Sequence, residues 1–373
     1  MNLILWMILL SGMVWLYGEF WAKQTAGKVS WSIKVEGDRH REGQEVSLWA
    51  HIENHSWLPI FWIQITQPLP EGLWIREGDK KVATIHFRTY LLPRQRVKRR
   101  FQLVLHTRGP KRWERASAVF GDGTGFKRVK EMLDTEATIR VRPKPSSQIK
   151  LKIQQDSLYG EQTIRRWYHE DPTRLSGIRP FITGDSYRQI HWAATARSGE
   201  LMVKQFEPTS QAHFYVILNH QFHSLHLVGG SKEIIDHQCR LAAGLFLYAF
   251  EQGFSIGLYT NASRMGRGQV AVPVGNSPNQ LETIMEALAG TLYLPDSPFA
   301  KLLVSLKGKL ERGSTLVLIT PYWDQEIMEK VEWLRGEGHQ IILCLSDPQV
   351  DKKLLPPWIP VIPAYLEKEE DHR

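Results

Sequence analysis

The residues with the greatest chemical potential lie between Gly184 and Glu207, a segment reading GDSYRQIHWAATARSGELMVKQFE. Arg188 and Arg197 carry planar guanidinium forks, each able to hold a phosphate or carboxylate through two hydrogen bonds. Asp185, Glu200, Lys204 and Glu207 add both signs of charge within the same 24 residues. Mixed charges at this density are expected to satisfy one another, as an ion-pair network pinning a helix to a strand. A second cluster follows at Asn219-His220-Gln221-Phe222-His223, with His226 beyond it and His213 and His237 nearby. Imidazoles suit Zn, Cu or Ni, and that chemistry would make the chain a metal-dependent hydrolase or metal sensor. The spacing matches no established ligand pattern, and no Cys or carboxylate sits among them, so they are read as solvated loop histidines. Gly121-Asp122-Gly123-Thr124-Gly125 lacks the Lys and following helix of a phosphate loop and reads as a turn. With no G-x-S-x-G and no H-E-x-x-H, neither an enzyme nor a cofactor is expected.

These residues need elements to position them. Asp185 after Gly184 is a good helix N-cap and Gly199 suits the position after a helix end. Tyr187, Ile190, Ala194 and Arg197 would then share one helical face, and LMVKQFE alternates like a strand. Downstream, the buried-type runs HFYVILN (213–219), SIGLYT (255–260), QVAVPV (269–274), STLVLIT (314–320) and QIILCLS (340–346) alternate with helical patterns. A helix is expected after Ser231, closed by Gly253. Ser277-Pro278-Asn279-Gln280 reads as a capping box opening a second helix, which presents Leu281, Ile284, Met285 and Leu288. Further helices are expected over 299–310 and 325–335. The pattern predicts a doubly wound, mainly parallel α/β sheet over 213–365. The proline-rich end, with Pro356, Pro357, Pro360 and Pro363 before EKEED, is expected to be extended and solvated, with 366–373 an acidic tail.

Upstream, short β-branched and aromatic runs at 31–35, 45–52, 60–66, 82–87, 97–105 and 137–142, separated by turn signals, predict a β-sandwich-like domain over 27–145. Residues 146–212 hold the linker and the charged signature. Residues 1–22 are expected to be a transmembrane anchor: 3–22 are apolar apart from Glu19, and twenty helical residues rise about 30 Å. Trp15, Tyr17 and Trp21 read as interfacial aromatics, and Lys23, Lys28 and Lys34 after the run predict a single-pass protein with its C-terminal bulk in the cytoplasm. The net charge of +8 is local, since residues 23–150 hold 25 Lys/Arg against 13 Asp/Glu. Placed directly after an anchor, that excess suits an anionic membrane surface better than nucleic acid. The two cysteines, Cys239 and Cys344, read as small buried apolar residues in a reducing compartment.

The run Gly184-Asp185-x-x-Arg188-x-Ile190-His191-Trp192, followed by Ala196-Arg197-x-Gly199-Glu200-Leu201-x-Val203-Lys204-x-Phe206-Glu207, resembles the signature of bacterial domain of unknown function 58 proteins. Thr124-Gly125-Phe126 is similar to a Gly-x-x-Gly-Phe element of that family. The resemblance implies a membrane-anchored protein with a von Willebrand factor A-like domain, a protein-binding or scaffold role, and association with a MoxR-type AAA+ ATPase. A transglutaminase-like membrane protein is a further implied partner. The family commonly has two N-terminal membrane helices, whereas this chain shows one. Von Willebrand A domains often hold Mg²⁺ on Asp-x-Ser-x-Ser after the first strand. Here those positions are Asn219, Gln221 and His223, and the later Thr-Asp-Gly turn is Thr320-Pro321-Tyr322 with Asp324 displaced. Ser277 remains as a substitute for a loop threonine. The hard oxygen ligands Mg²⁺ requires are missing, so no metal is expected.

Overall fold

The computed structural model describes residues 2–78, 80–147, 170–182, 185, 187–208, 213–225, 230–264 and 270–366. The chain divides into two compact units, Met1–Lys144 with Leu288–Thr291, and Pro145–Ala287 with Leu292–Arg373.

The first unit opens with helix α1 (Asn2–Thr25) and continues through β1 (Val29–Val35), β2 (His40–Arg41), β3 (Glu45–Asn54), β4 (Ile60–Pro68), β5 (Leu73–Glu77), β6 (Lys80–Val82), β7 (Thr84–Leu91), β8 (Arg96–Leu105), β9 (Gly109–Arg112), β10 (Ala116–Gly121), β11 (Arg128–Leu133) and β12 (Thr138–Arg142). A five-stranded antiparallel sheet, β1-β3-β8-β5-β6, and a four-stranded one, β11-β10-β4-β7, enclose one apolar core. This is a β-sandwich, built as strand alternation dictates: Leu48, Ala50 and Ile52 of β3 point inward with Ile63 and Ile65 of β4. β2, β5, β9, β10 and β11 lie outside the strands expected from the sequence. β10 presents Ala116, Ala118 and Phe120 to the core, and two alanines give little β signal although the strand sits between β4 and β11. Four of the basic residues, Arg96, Lys98, Arg99 and Arg100, lie on β8. Burial first, then Lys98, Arg96 and Lys34, push the His51 pKa down.

Helix α1 is long and apolar enough to cross a membrane over Ile4–Thr25. Its last two turns belong to the sandwich. Trp21, expected at a membrane interface, is fully buried, meets Phe120 edge-on at 6.0 Å and donates its indole N–H to the Pro59 carbonyl at 2.9 Å.

The second unit contains β13 (Glu170–Pro180), α2 (Trp192–Ser198), β14 (Met202–Pro208), β15 (His213–Leu218), α3 (Lys232–Glu251), β16 (Ser255–Thr260), β17 (Ala262–Arg264), β18 (Ala271–Gly275), α4 (Gln280–Gly290), β19 (Thr291–Pro295), α5 (Phe299–Ser305), β20 (Thr315–Thr320), α6 (Gln325–Gly336), β21 (Gln340–Leu345) and β22 (Val361–Pro363). Its main sheet runs β18-β16-β15-β20-β21-β22, parallel except for the antiparallel edge strand β18. Tyr215 and Ile217 of β15 enter the core shared with α5 and α6, while the alternate residues Phe214, Val216 and Leu218 are buried on the face that α3 covers. Ser231 caps α3, its hydroxyl accepting from the Ile234 N–H, and Asp324 caps α6 in the same way through Ile327.

Three expectations fail here. The Gln280 side chain does not close a capping box; its amide donates to the Ile256 and Pro273 carbonyls and pins α4 to β16 and β18. The helix expected over 299–310 ends at Ser305. The proline-rich end is extended but not solvated, because β22 adds to β21 and buries Ile359, Ile362 and Ala364. Proline is tolerated there because an edge strand needs donors on one side only.

Cys239 and Cys344 are both buried. His339, just before β21, is also buried, and its Nδ1 has no hydrogen-bond partner among the described residues. Burial lowers its pKa, with Glu337 partly opposing. A folded-state pKa below the unfolded value means that the unfolded chain takes up the proton first. Stability is therefore full above pH 6.5 and falls as pH drops below it, by at most about 1.4 kcal/mol per pH unit for this group. His339→Gln is expected to flatten that part of the slope of denaturation midpoint against pH between 7 and 5.

Candidate functional site

The signature segment folds as a turn, a short helix and a strand. Tyr187–Gln189 forms a single 3₁₀ turn, and Ile190 then bridges Val203 antiparallel, both side chains buried. The cap of α2 is His191, whose Nδ1 accepts from the Ala194 N–H at 3.1 Å. Gly199 ends the helix in the left-handed conformation, φ 77°, donating to the Thr195 carbonyl as expected for that position. Helix and strand are joined by hydrogen bonds: the His191 N–H donates to the Met202 carbonyl at 2.8 Å, and the Met202 N–H to the Thr195 hydroxyl at 3.0 Å.

Asp185 is not the helix cap. Arg179 at the end of β13 grips its carboxylate with two hydrogen bonds of 2.6 and 2.7 Å, and the Ile182 N–H adds a third. Tyr187 and Ile190 therefore lie outside α2, Tyr187 stacking on Phe181 at 5.6 Å, and the four-residue helical face from Tyr187 to Arg197 does not form. The expected ion-pair network is not seen among the described side chains, which do not include those of Arg188 and Glu207. Among the described residues Arg197, Glu200 and Lys204 make no ion pair, and the pair that does form draws its cation from Arg179, outside the signature. Gly184 lies outside the described residues, and only the backbone is described at Arg188 and Glu207.

The result is a rigid base with an open outer surface. No side chain of α2 is buried, Trp192 is 68% exposed, and Arg197 and Glu200 face solvent. An open groove of about 500 Å³ runs along the helix, lined by Ile178, His191, Ala194, Arg197, Ser198 and Met202.

The second candidate lies where the strand order reverses, at the carboxyl ends of β15 and β20, the usual ligand crevice of such sheets. Here it is filled. The Asn219 Nδ2 donates to the Thr320 hydroxyl at 2.9 Å, and its Oδ1 accepts from the Gln221 N–H at 2.9 Å and the Asn261 Nδ2 at 3.1 Å. The Asn261 Oδ1 accepts from the His220 N–H, and the Gln221 Oε1 from the Phe299 N–H, both at 2.8 Å. Gln221 Nε2 donates to the His223 carbonyl, and Gln238 Nε2 to the Asn219 carbonyl and the Ser346 hydroxyl. All these amides and hydroxyls are buried. Beside them the Tyr322 phenol is pushed up to about 12, by burial first and then by Asp324, so it stays neutral.

A Mg²⁺ ion does not fit this donor set. Asn219 and Gln221 spend their amide oxygens on N–H donors, and the His223 side chain faces solvent. Ser277 serves instead in the turn before α4, its carbonyl accepting from the Gln280 N–H. Among the described residues no three His, Cys, Asp or Glu side chains come together as metal ligands. The histidines are dispersed and only partly solvated. His223 is exposed, but His220 is buried with Nδ1 3.2 Å from the Leu292 carbonyl, and His237 is buried with Nε2 2.9 Å from the Ala364 carbonyl; His226 lies outside the described residues. The sequence reading did not find Asn261, Gln238 or Ser346. The available signal was a polar residue directly after the buried parallel strands β15, β16 and β21: Asn219, Asn261 and Ser346.

Residues 177–358 match the family described as Protein of unknown function DUF58. The match covers just under half of the chain. It takes in α2, the crevice and most of the α/β sheet. A curated relative, the uncharacterized protein YeaD of Bacillus subtilis (strain 168), is 23% identical over 166 residues, covering 43% of this chain. The match spans 40% of that relative's length. Solved structures with local likeness include the conserved hypothetical protein BatB of Bacteroides thetaiotaomicron, 9% identical, covering 36% of this chain and 66% of that one, TM-score 0.26. The CARDB domain of the PF1109 protein of Pyrococcus furiosus is 12% identical, covering 30% of this chain and 91% of its own, TM-score 0.21. These likenesses are too slight to define a fold, and the matched region is described by its own strand order.

Proposed function

We propose that the chain is a membrane-anchored, non-catalytic scaffold that binds protein partners through the outer surface of its signature segment. The carrying observation is that α2 is pinned by backbone and hydroxyl hydrogen bonds while Trp192, Arg197 and Glu200 stay outward, without ion pairs among the described residues. Exposed Trp and Arg on a rigid support are the residue types that dominate protein interfaces. The strand order, with its antiparallel edge, supports reading the matched region as von Willebrand A-like. The filled crevice directs recognition away from a metal. In this reading α1 crosses the bilayer, the bulk faces the cytoplasm, and the leading partner is a MoxR-type AAA+ ATPase, with a transglutaminase-like membrane protein as a second.

The test is co-purification of an AAA+ ATPase with the full chain in mild detergent. Combined Trp192→Ala and Arg197→Glu is expected to reduce recovery about tenfold or more, and a chelator to leave it unchanged. Unchanged hydrogen exchange over β13 and β14 would show that the variant keeps its fold. Equal recovery by the variant, or no ATPase with the parent chain, would sink the proposal.

A further inference from the structure

The junction between α1 and the sandwich has no spacer. Gly18 is buried, and a Cβ there would stand 3.3 Å from both the Asp122 carboxylate and the Lys127 Cβ, so the helix backbone runs directly against the 121–127 loop. The sole charge in the apolar run, Glu19, is paired with Lys127 of that loop. Apolar, exposed helix surface continues to Phe20, and the next residue, Trp21, is already core. Any bilayer that holds α1 therefore meets the sandwich loops at the level of residues 18–20.

Those loops are aromatic. Trp57, 56% exposed, lies edge-on to Phe20 with ring centroids 6.1 Å apart. Phe61, 52% exposed, covers Gly123, where a Cβ would stand 2.7 Å from its ring. Phe126, at the tip of the 121–127 loop, is 76% exposed. Within the loop the Asp122 carboxylate accepts from the Thr124 and Gly125 N–H groups and the Thr124 hydroxyl, fixing its shape just before Phe126. The Arg94 N–H donates to the Ser56 carbonyl, which brings exposed Leu92 and Arg94 beside the Trp57 loop. A soluble surface has no use for three large exposed aromatics around one helix end. The bilayer interface does, since Trp concentrates at headgroup depth and Phe is typical of the apolar face of segments that insert into the headgroup–acyl boundary.

We infer that Trp57, Phe61 and Phe126 form an aromatic collar that inserts into the bilayer interface around the exit of α1, seating the sandwich on the membrane rather than above it. Arg94 and Arg128 then reach anionic headgroups from the rim of the collar. The inference rests on the reading of α1 as membrane-spanning, and the test separates the two.

The full chain, with Cys239 and Cys344 changed to alanine, is placed in nanodiscs of mixed neutral and anionic phospholipid. It carries a nitroxide in turn at Met13→Cys, Phe126→Cys or Asp38→Cys. Asp38 follows β1, whose seven residues carry the chain about 23 Å from the helix exit. Collisions with dissolved oxygen and with a water-soluble nickel chelate are read by power saturation. The expected result is lipid-like behaviour at 13, chelate access at 126 about tenfold below that at 38, and full aqueous exposure at 38. Chelate access at 126 equal to that at 38, with 13 still in lipid, overturns the collar and leaves the anchor standing. Aqueous behaviour at 13 overturns the anchor and the collar with it.

Discussion

Asn219→Leu is expected to destabilise the α/β unit by about 3–5 kcal/mol. Leucine matches asparagine in the number and branching of its heavy atoms but is bulkier, so the loss comes from hydrogen bonds with some overpacking, and not from a cavity. The substitution leaves the Gln221 N–H and the Asn261 amide without their acceptor and removes the donor to Thr320, all in a fully buried site. Each orphaned buried group costs about 1–3 kcal/mol. Chemical denaturation of the full chain in detergent, followed by hydrogen exchange in β15 and β20, would measure it. A loss below about 1 kcal/mol would mean that the crevice is not held by this network. Asn219→Asp should cost less at acidic than at neutral pH, because a buried carboxyl resists ionisation while its neutral form can still accept from Gln221 and Asn261.

Trp21→Ala is expected to cost the sandwich about 3–5 kcal/mol. The side chain is fully buried, makes the edge contact with Phe120 and holds the Pro59 carbonyl. Its removal opens a cavity between helix and sheets and frees the last turns of α1. The same experiment on Trp15→Ala, where the ring is 60% exposed, should leave sandwich stability within about 0.5 kcal/mol. Equal effects at the two positions would show that Trp21 is not a core residue.

The parallel strands of the second unit were legible because fully buried strands are continuous apolar runs, as in Phe214–Leu218 and Leu316–Ile319. β22 was not, because four prolines mask an edge strand whose pairing comes from β21 and leaves no local pattern. The position of Asn219 was legible from its place after the first buried strand. Its partners were not, since Asn261 and Thr320 lie 42 and 101 residues away. In the signature, the end of the helix at Gly199 could be read and its start could not. Asp185 has the chemistry of a cap, but Arg179 lies in a stretch that reads as featureless, and only the β13–β14 pairing delivers it to the carboxylate.

The continuity of α1 with the sandwich has a consequence for recognition. A domain on a flexible tether samples a hemisphere of orientations and gives up that freedom whenever it is captured. With Trp21, Ala22 and Thr25 all buried, the sandwich turns only as the helix turns. Once α1 is held upright in a bilayer, two of the domain's three rotational freedoms are already restricted. A partner that binds the sandwich itself from within the same sheet of lipid would meet it near its final attitude, at a correspondingly lower entropic cost of association.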